Sequence, residues 1–268
     1  MVKPAVLLDI ECSIAEQVDW LQREKPDYLL TFPSNLLFLA RHCRDAGIAL
    51  PGLRAARTLG EVVSAELRAI CREVWGIEIA DMYSTEELGY VALQCKEGRY
   101  HVQAEGVLVE ILDEAGRPCR PGEIGRVIAT PLQNYAMPLL RYAVGDYAEL
   151  GDACPCGRTL PVLERIVGRS RDIVRLPSGE RRFAAQFEGS GFTEMAAIMQ
   201  HQIVQKSLED IEVRLVARRP LTVEEEDRLR RWIRFSFGYD FRLGFVYCED
   251  IPRAASGKYE DFRSELPT

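Results

Sequence analysis

The first ninety residues alternate amphipathic helical segments with short apolar runs, and this alternation constrains the fold more than any other feature. Helical periodicity covers residues 13–24, 34–46 and 64–75, and short segments that read as strands lie at 28–31, 57–59 and 77–80. Ser13 and Glu16 have the spacing of a capping box, and Ser34 is expected to cap the second helix. Short strands that alternate with helices predict a parallel sheet with helical cover.

The pattern changes near Val91, where short alternating runs and glycine-containing turns begin. Runs at 107–112, 125–130 and 141–150 predict strands of a β-rich unit. Further on, a capping box at Thr222 starts a charged helix between two more apolar runs. We therefore predict an α/β chain that is divided into a partial parallel-sheet subdomain (1–92), a β-rich barrel-like subdomain (93–167), a hinge (168–172) and a small C-terminal α+β domain (173–268).

Composition narrows the classes of function. The chain of 268 residues has 34 Lys and Arg against 41 Asp and Glu, which gives a net charge of −7. An acidic balance argues against a nucleic-acid partner. The longest charge-free stretch, residues 28–40, is too short to span a bilayer, and the N-terminus lacks the pattern of a signal peptide. We expect a cytoplasmic protein with no membrane partner.

Three of the eight cysteines and one histidine have spacings that suit a metal site. Cys95 and His101 flank Gly98 symmetrically, so a hairpin that turns there would place them opposite each other. Cys154 and Cys156 form a tight Cys-Pro-Cys knuckle. Three sulfurs and one imidazole fit tetrahedral zinc, and four protein ligands would make the site structural. The alternative is a set of unrelated thiols and a surface histidine.

A polar segment, residues 81–89, follows the predicted strand at 77–80. Ligands of open α/β sheets bind at the carboxyl ends of strands. An aromatic ring, hydroxyls and carboxylates could stack on a base, contact a phosphate and hold Mg²⁺. The side chains concerned are Tyr83, Ser84, Thr85, Glu86 and Glu87. A capped helix N-terminus has the same composition, so both interpretations stay open.

Asp146 and Lys258 are candidates from two other segments. Asp146 follows a glycine, and a buried Asp in that position could accept the hydroxyls of a ribose, with Arg169 or Arg171 as a partner. It could equally be an ordinary turn residue. Lys258 lies among small residues and could bring a point charge into an anionic site, although most lysines are solvated surface groups.

The order and spacing of these segments resemble the adenylate-forming superfamily, specifically its branch of phenylacetate–CoA ligases and related capsule-biosynthesis ligases. Within residues 26–262, five motifs follow the family order. They are Tyr83 to Glu87 (family Tyr-Gly-x-Thr-Glu), Arg141 to Asp146 (Arg-Tyr-x-Thr-Gly-Asp, with Val144 at the Thr position), Cys154 to Arg158 (Cys-x-Cys-Gly-Arg), Gly168 to Asp172 (Gly-Arg-x-x-Asp), and Ser256 to Lys258 (the terminal Gly-Lys).

The resemblance implies that ATP and a carboxylate form an acyl-adenylate, from which the acyl group passes to a thiol or amine. Tyr83 would contact adenine, with Ser84 and Thr85 in the same nucleotide loop. Asp146 and Arg169 would bind the ribose.

The resemblance also assigns the catalytic groups. Lys258 would neutralise the charge of the carboxylate and α-phosphate, and Arg171 would be the hinge about which the C-terminal domain rotates. Counting from Tyr83 selects Glu87 as the Mg²⁺ ligand, whereas matching Ser-Thr-Glu selects Glu86, and we favour Glu87 slightly.

The chain departs from the family in its first part. Family members have a Thr/Ser/Gly-rich loop for the ATP phosphates, whereas residues 1–80 contain glycines only at 47, 52, 60 and 76 and no such cluster. The chain thus resembles only the C-terminal part of such a ligase, and we expect it to be inactive or feeble alone. A homo-oligomer or a complementing N-terminal chain is expected as partner, besides a small-molecule carboxylate and CoA or a carrier protein. The alternative is a non-catalytic nucleotide- or partner-binding module derived from that family.

Overall fold

The computed structural model describes residues 5–169, 172–183, 192, 195, 197–254 and 256–266. Its helices are α1 (Ile14–Glu24), α2 (Pro33–Ala46), α3 (Ala65–Trp75) and α4 (Val223–Phe237). The strands are β1 (Tyr28–Thr31), β2 (Ala55–Leu59), β3 (Ile79–Thr85), β4 (Gly89–Gln94), β5 (Tyr100–Val102), β6 (Val107–Leu112), β7 (Ile124–Pro131), β8 (Tyr142–Leu150), β9 (Val162–Arg169), β10 (Ile173–Arg175), β11 (Arg181–Phe183), β12 (Ile198–Gln205), β13 (Asp210–Ala217), β14 (Arg242–Tyr247) and β15 (Phe262–Ser264).

Strands β1 to β9 form one mixed sheet in the order β1-β2-β3-β4-β5-β9-β8-β7-β6. β1, β2 and β3 are parallel, and every later pair in the sheet is antiparallel. β3 is therefore the strand at which the parallel part meets the antiparallel part. The predicted α/β class is confirmed, with a large sheet that has a parallel portion and a small C-terminal α+β portion.

Local sequence signals account for most helix ends. Ser13 and Glu16 form the predicted capping box of α1, and Thr222 and Glu225 form that of α4. The prediction that Ser34 caps α2 is wrong, because Phe32 is the N-cap residue and Pro33 begins the helix. Proline at the first helical position is favoured because its fixed φ already suits the helix and its missing N–H would have no helical acceptor there.

Helices α1, α2 and α3 cover one face of the parallel strands. Their apolar side chains are almost fully buried against the sheet, among them Val18, Leu21, Leu36, Leu39, Leu67 and Ile70. Each such side chain stabilises the fold by about 1.5–3 kcal/mol through burial. The opposite face of the edge strand β1 is open, since Tyr28 and Leu30 are 72% and 56% exposed.

The C-terminal part forms a second core. Its sheet has the order β14-β13-β12-β15, in which β13 pairs antiparallel with β12 and parallel with β14. α4 buries Leu229, Ile233 and Phe237 in the same apolar cluster as Val213 and Leu215 of β13. Among the described residues, no helix is long and apolar enough to cross a membrane.

Candidate functional site

Tyr83, Asp146 and Arg169 come together where β3, β8 and β9 approach one another. The Tyr83 hydroxyl donates a hydrogen bond of 2.7 Å to Asp146 Oδ2. Arg169 Nε lies 3.3 Å from Asp146 Oδ1. Asp146 and Arg169 are also cross-strand partners in the β8–β9 ladder, so the backbone register fixes their proximity. The carboxylate of Asp146 is thus held from both sides.

The polar segment that starts at Asp81 is not a loop in its first half. Asp81 to Thr85 continue β3, because β3 pairs with β2 as far as Met82 and with β4 as far as Thr85. Asp81 itself is buried and accepts hydrogen bonds from the Thr58 and Tyr100 hydroxyls at 2.6 and 2.7 Å. The alternative of a capped helix N-terminus is also wrong, because a turn leads directly from β3 into β4.

Glu87 lies in that turn and faces Tyr142. The Tyr142 hydroxyl donates to Glu87 Oε1 at 3.3 Å, and Thr85 Oγ1 accepts the Leu88 N–H at 3.1 Å. Glu86 is exposed in the same turn, whereas Ser84 is half-buried opposite Tyr90. Tyr142 is not among the residues predicted from the sequence, although it directly follows Arg141 in one of the five motifs.

Burial, hydrogen bonds and nearby charges shift the pKa values of Asp146, Tyr83 and Glu87. Burial raises the pKa of Asp146, and the Tyr83 hydrogen bond and the charges of Arg169 and Lys258 partly offset the rise. Burial and the adjacent Asp146 carboxylate raise the pKa of Tyr83, which is only 7% exposed and stays protonated as a donor. A backbone hydrogen bond, with those from Thr85 and Tyr142, lowers the pKa of Glu87 and keeps it ionised.

Lys258 lies at the carboxyl ends of the parallel strands, beside Gly60 after β2. A methyl group on the Gly60 Cα would lie 3.0 Å from Lys258 Cε and 3.2 Å from Phe32 Cε1. The charge of Lys258 is among those that lower the pKa of Asp146. The predicted hinge residue Arg171 lies outside the described residues.

Glu61, the residue after Gly60, is a member of this region that sequence analysis missed. Its carboxylate accepts the N–H of Ser34 at 2.8 Å and the N–H of Tyr259 at 2.6 Å. Arg253 Nη1 lies 3.6 Å from Glu61 Oε1. Burial raises the pKa of Glu61, against the opposing effect of these donors. Its place just after a parallel strand was the one signal in the sequence that could have found it.

The metal-ligand candidates Cys95, His101, Cys154 and Cys156 form one cluster. Their ligand atoms lie within 4.8 Å of one another. The Cys95 and Cys154 sulfurs are 3.7 Å apart, and Cys156 Sγ is 3.3 Å from His101 Nε2. With Zn–S bonds of about 2.3 Å, two sulfurs of a tetrahedral site lie roughly 3.8 Å apart. The donor set and its spacing therefore fit zinc.

The electrostatics of two of the four candidate ligands, His101 and Cys95, suit a metal. Burial and the charge of Arg158 lower the pKa of His101, which keeps the imidazole in the neutral form that binds metals. Although burial opposes it, the backbone amides of Glu97 and Arg99 lower the pKa of Cys95 towards the thiolate.

The hairpin register differs from the prediction. His101 pairs with Leu93, and the Cys95 N–H donates to the Arg99 carbonyl, so the hairpin centre lies at Glu97 rather than Gly98. Cys95 and Leu93 are two residues apart and share a face of the sheet, which keeps Cys95 diagonal to His101 instead of opposite to it.

Comparisons with known proteins agree with these observations. The family model of the CapK C-terminal domain matches residues 187–264. The phenylacetate–coenzyme A ligase of Thermus thermophilus is 26% identical over 90% of this chain and 61% of its own length. Protein CapK of Staphylococcus aureus is 23% identical over 89% of this chain and 53% of its own length.

A solved structure of 2-hydroxyisobutyryl-CoA ligase, in its postadenylation state with an acyl-AMP, superposes with a TM-score of 0.77 at 21% identity. The match covers 94% of this chain and 57% of that one, and at this identity it demonstrates the fold. The chain thus spans about half to three fifths of the length of the relatives it matches.

The sequence matches and the fold together support the resemblance of the chain to the adenylate-forming superfamily, in particular to the phenylacetate–CoA ligases and to CapK.

Proposed function

We propose that this chain is the C-terminal portion of an adenylate-forming acid–thiol or acid–amine ligase. In that reaction a carboxylate oxygen attacks the α-phosphorus of ATP, pyrophosphate leaves, and a thiol or amine then displaces AMP from the acyl-adenylate. The observation that carries the proposal is the group of Tyr83, Asp146 and Arg169, which three separate segments bring together. The charges of Glu87 and Lys258 are close enough to this group to affect the pKa of Asp146.

The proposed roles follow from the chemistry of each side chain. Asp146 is oriented by Tyr83 and Arg169 and would accept ribose hydroxyls, while the Tyr83 ring would contact adenine. Lys258 would stabilise the negative charge that develops between the carboxylate and the α-phosphate.

Glu87 suits Mg²⁺ better than the neighbouring Glu86. Its carboxylate is ionised and lies close enough to Asp146 to affect the pKa of that residue. Carboxylate oxygens are the ligands that Mg²⁺ prefers.

We propose a structural role for zinc in the cluster of three cysteines and one histidine. Four protein ligands leave no open coordination position for substrate, so the ion would stabilise the fold and take no part in the reaction. Cys95 and His101 belong to the β4–β5 hairpin and Cys154 and Cys156 to the connection between β8 and β9. Zinc would therefore join two segments of the antiparallel part.

The chain alone is proposed to be inactive or feeble. Residues 1–80 have no Ser/Thr/Gly-rich cluster whose amides could hold the ATP phosphates, and the relatives are considerably longer. The open face of β1 would then be covered by a complementing chain or a second copy. The same open face favours the second candidate, a non-catalytic nucleotide- or partner-binding module.

The decisive experiment measures carboxylate-dependent exchange between ATP and labelled pyrophosphate. We would test the chain alone and mixed with the N-terminal part of a phenylacetate–CoA ligase. Exchange that requires Lys258, and that survives in the Lys206→Ala control, supports the ligase. If ATP or AMP binds but neither the chain alone nor the mixture catalyses ATP–pyrophosphate exchange, the binding module is favoured instead.

A further inference from the structure

The segment that carries Lys258 is a tight turn with few degrees of freedom. The Ala254 N–H donates to the Lys258 carbonyl at 2.9 Å, and the Gly257 N–H donates to the Ala254 carbonyl at 2.8 Å. Tyr259 extends the constraint, because its hydroxyl donates to the His201 carbonyl at 2.5 Å. The position of the lysine is therefore set by where this turn docks.

The turn docks on one carboxylate, that of Glu61. Glu61 Oε1 accepts the Tyr259 N–H at 2.6 Å, and Arg253 Nη1 lies 3.6 Å away from the same oxygen. Glu61 Oε2 accepts the N–H of Ser34, in the first turn of α2, at 2.8 Å. Arg253 closes the network through bonds to Ser34 Oγ at 3.0 Å and to the Gly257 carbonyl at 3.1 Å.

This contact is strong enough to define a position. The Glu61 and Arg253 side chains are only 10% and 19% exposed. A buried carboxylate that loses its cationic and N–H partners keeps its desolvation cost without compensation. When the turn leaves its docked place, Glu61 would retain the Ser34 donors alone, so the docked arrangement is favoured over nearby displaced ones.

We propose that Glu61 is a positioning residue for Lys258, which it fixes at the carboxyl ends of β1 and β2 by holding Arg253 and Tyr259. The inference rests on the proposed function for the role of the lysine, whereas the docking itself does not. Glu61 touches neither of the reacting groups, and it acts through the turn that carries the catalytic amine.

A simpler role for Glu61 would be to cap α2, whose N-cap residue Phe32 offers no side-chain acceptor. That role explains the two bonds that Glu61 accepts from Ser34, from its N–H at 2.8 Å and from its hydroxyl at 3.1 Å, and it would stabilise the helix through its dipole. It does not explain the contacts with Tyr259 and Arg253. A test must therefore measure the C-terminal turn and not only the stability of α2.

Hydrogen–deuterium exchange of the full chain measures the turn directly. Glu61→Gln replaces one carboxylate oxygen by an NH2 group, which cannot accept a hydrogen bond from a backbone N–H. Exchange of the Tyr259 and Gly257 amides should therefore accelerate about tenfold or more. The control Asp45→Asn removes another carboxylate that bonds to the C-terminal part, through Arg218, but on the exposed surface. It should change the same amides by less than about twofold.

Unchanged exchange of Tyr259 and Gly257 in a folded Glu61→Gln variant would overturn the proposal. Protection of the β13 amides reports whether that variant is folded. If the β13 amides are unprotected, exchange of the Tyr259 and Gly257 amides is measured in Arg253→Gln instead, and unchanged exchange there would overturn the proposal. Arg253 belongs neither to α2 nor to the apolar core that α1, α2 and α3 form with the sheet.

A kinetic readout separates positioning from general stability. In the mixture with the N-terminal part of a phenylacetate–CoA ligase, Glu61→Gln should lower kcat for ATP–pyrophosphate exchange about tenfold with little change in KM for ATP. It should leave thioester formation from a preformed acyl-adenylate unaffected. Equal losses in both half-reactions would contradict the proposal. If the wild-type chain catalyses neither half-reaction even when mixed with the N-terminal part of a phenylacetate–CoA ligase, the proposed function fails. The hydrogen–deuterium exchange data still decide how Lys258 is held.

Discussion

Tyr83 and Asp146 are 63 positions apart in the chain and are joined by a buried hydrogen bond of 2.7 Å from the tyrosine hydroxyl to the carboxylate. It connects β3, at the boundary of the parallel strands, with β8 of the antiparallel part. A hydrogen bond to a charged acceptor in a buried position contributes more than an exposed neutral one. This single contact therefore couples the two parts of the sheet at the proposed nucleotide site.

Removal of the Tyr83 hydroxyl should destabilise the protein. In Tyr83→Phe the buried carboxylate of Asp146 loses a donor, and we expect unfolding free energy to fall by roughly 1–3 kcal/mol. Chemical denaturation measures the change. Tyr90→Phe is the matched control, because Tyr90 is 58% exposed in the neighbouring strand. Equal effects of the two substitutions would contradict the prediction.

The raised pKa of Asp146 predicts a pH dependence of stability. Burial raises this pKa above the ordinary value of 3.8, so ionisation of Asp146 opposes folding. The contribution of protonated Asp146 to stability is fully present at a pH below its pKa in the unfolded chain. It is lost as the pH rises through its pKa in the folded protein. The stability of Asp146→Asn relative to the wild type should therefore increase across that window and then level off. The Arg169→Gln background should enlarge the increase, and a pH-independent difference would be inconsistent with this account.

Zinc should be part of the folded state. Cys154→Ser should reduce bound zinc and lower the thermal midpoint by roughly 5 °C or more, because the binding energy of a closed site contributes to folding. Metal analysis and calorimetry measure both effects. Cys248→Ser, which changes a cysteine outside the cluster, should alter neither. An unchanged thermal midpoint in Cys154→Ser, together with no metal detected in the protein, would contradict the zinc hypothesis.

Gly60 tests the packing against Lys258 with a control inside the same chain. Gly60 has φ +79° and a methyl group there would meet Lys258 Cε and Phe32, whereas Gly76 has φ +65° and open space. Both Ala substitutions incur the backbone cost of about 1 kcal/mol. Only Gly60→Ala should also displace the lysine, measured as faster chemical acylation of Lys258. Equal acylation rates in the two variants would argue against the contact.

The open face of β1 should mediate association. Tyr28 and Leu30 expose large apolar surfaces on an edge strand, so Leu30→Glu should shift the protein towards monomer at tens of micromolar in sedimentation velocity. Phe235→Glu introduces the same charge at an apolar residue of α4 that is 87% exposed and should have little effect. A wild-type chain that is already monomeric would contradict the prediction.

Features encoded by adjacent residues could be predicted from the sequence. The capping boxes of α1 and α4 and the strands at 28–31 and 107–112 follow from local chemistry and periodicity. Features that depend on pairing between distant segments could not. The extension of β3 through Tyr83 depends on β4, and the two-residue difference in hairpin register at His101 depends on turn geometry.

The candidate site shows the same limit. Order and spacing of motifs selected Asp146, Arg169 and Lys258, and the structure brings these residues to one region. Glu61 was missed because its partners Ser34 and Tyr259 are 27 and 198 positions away, and its place after a predicted strand was the only local signal. A carboxylate with long-range partners becomes recognisable only when the fold is known.

The continuous nine-stranded sheet has a practical consequence for dissecting the molecule. The predicted boundary between residues 92 and 93 falls inside β4, which pairs with β3 on one side and β5 on the other. Expression of either fragment would divide one strand and leave both products with broken ladders. Truncations designed for calorimetry or crystallisation should instead end near residue 172, because β9 has ended there and its pairing with β8 is complete.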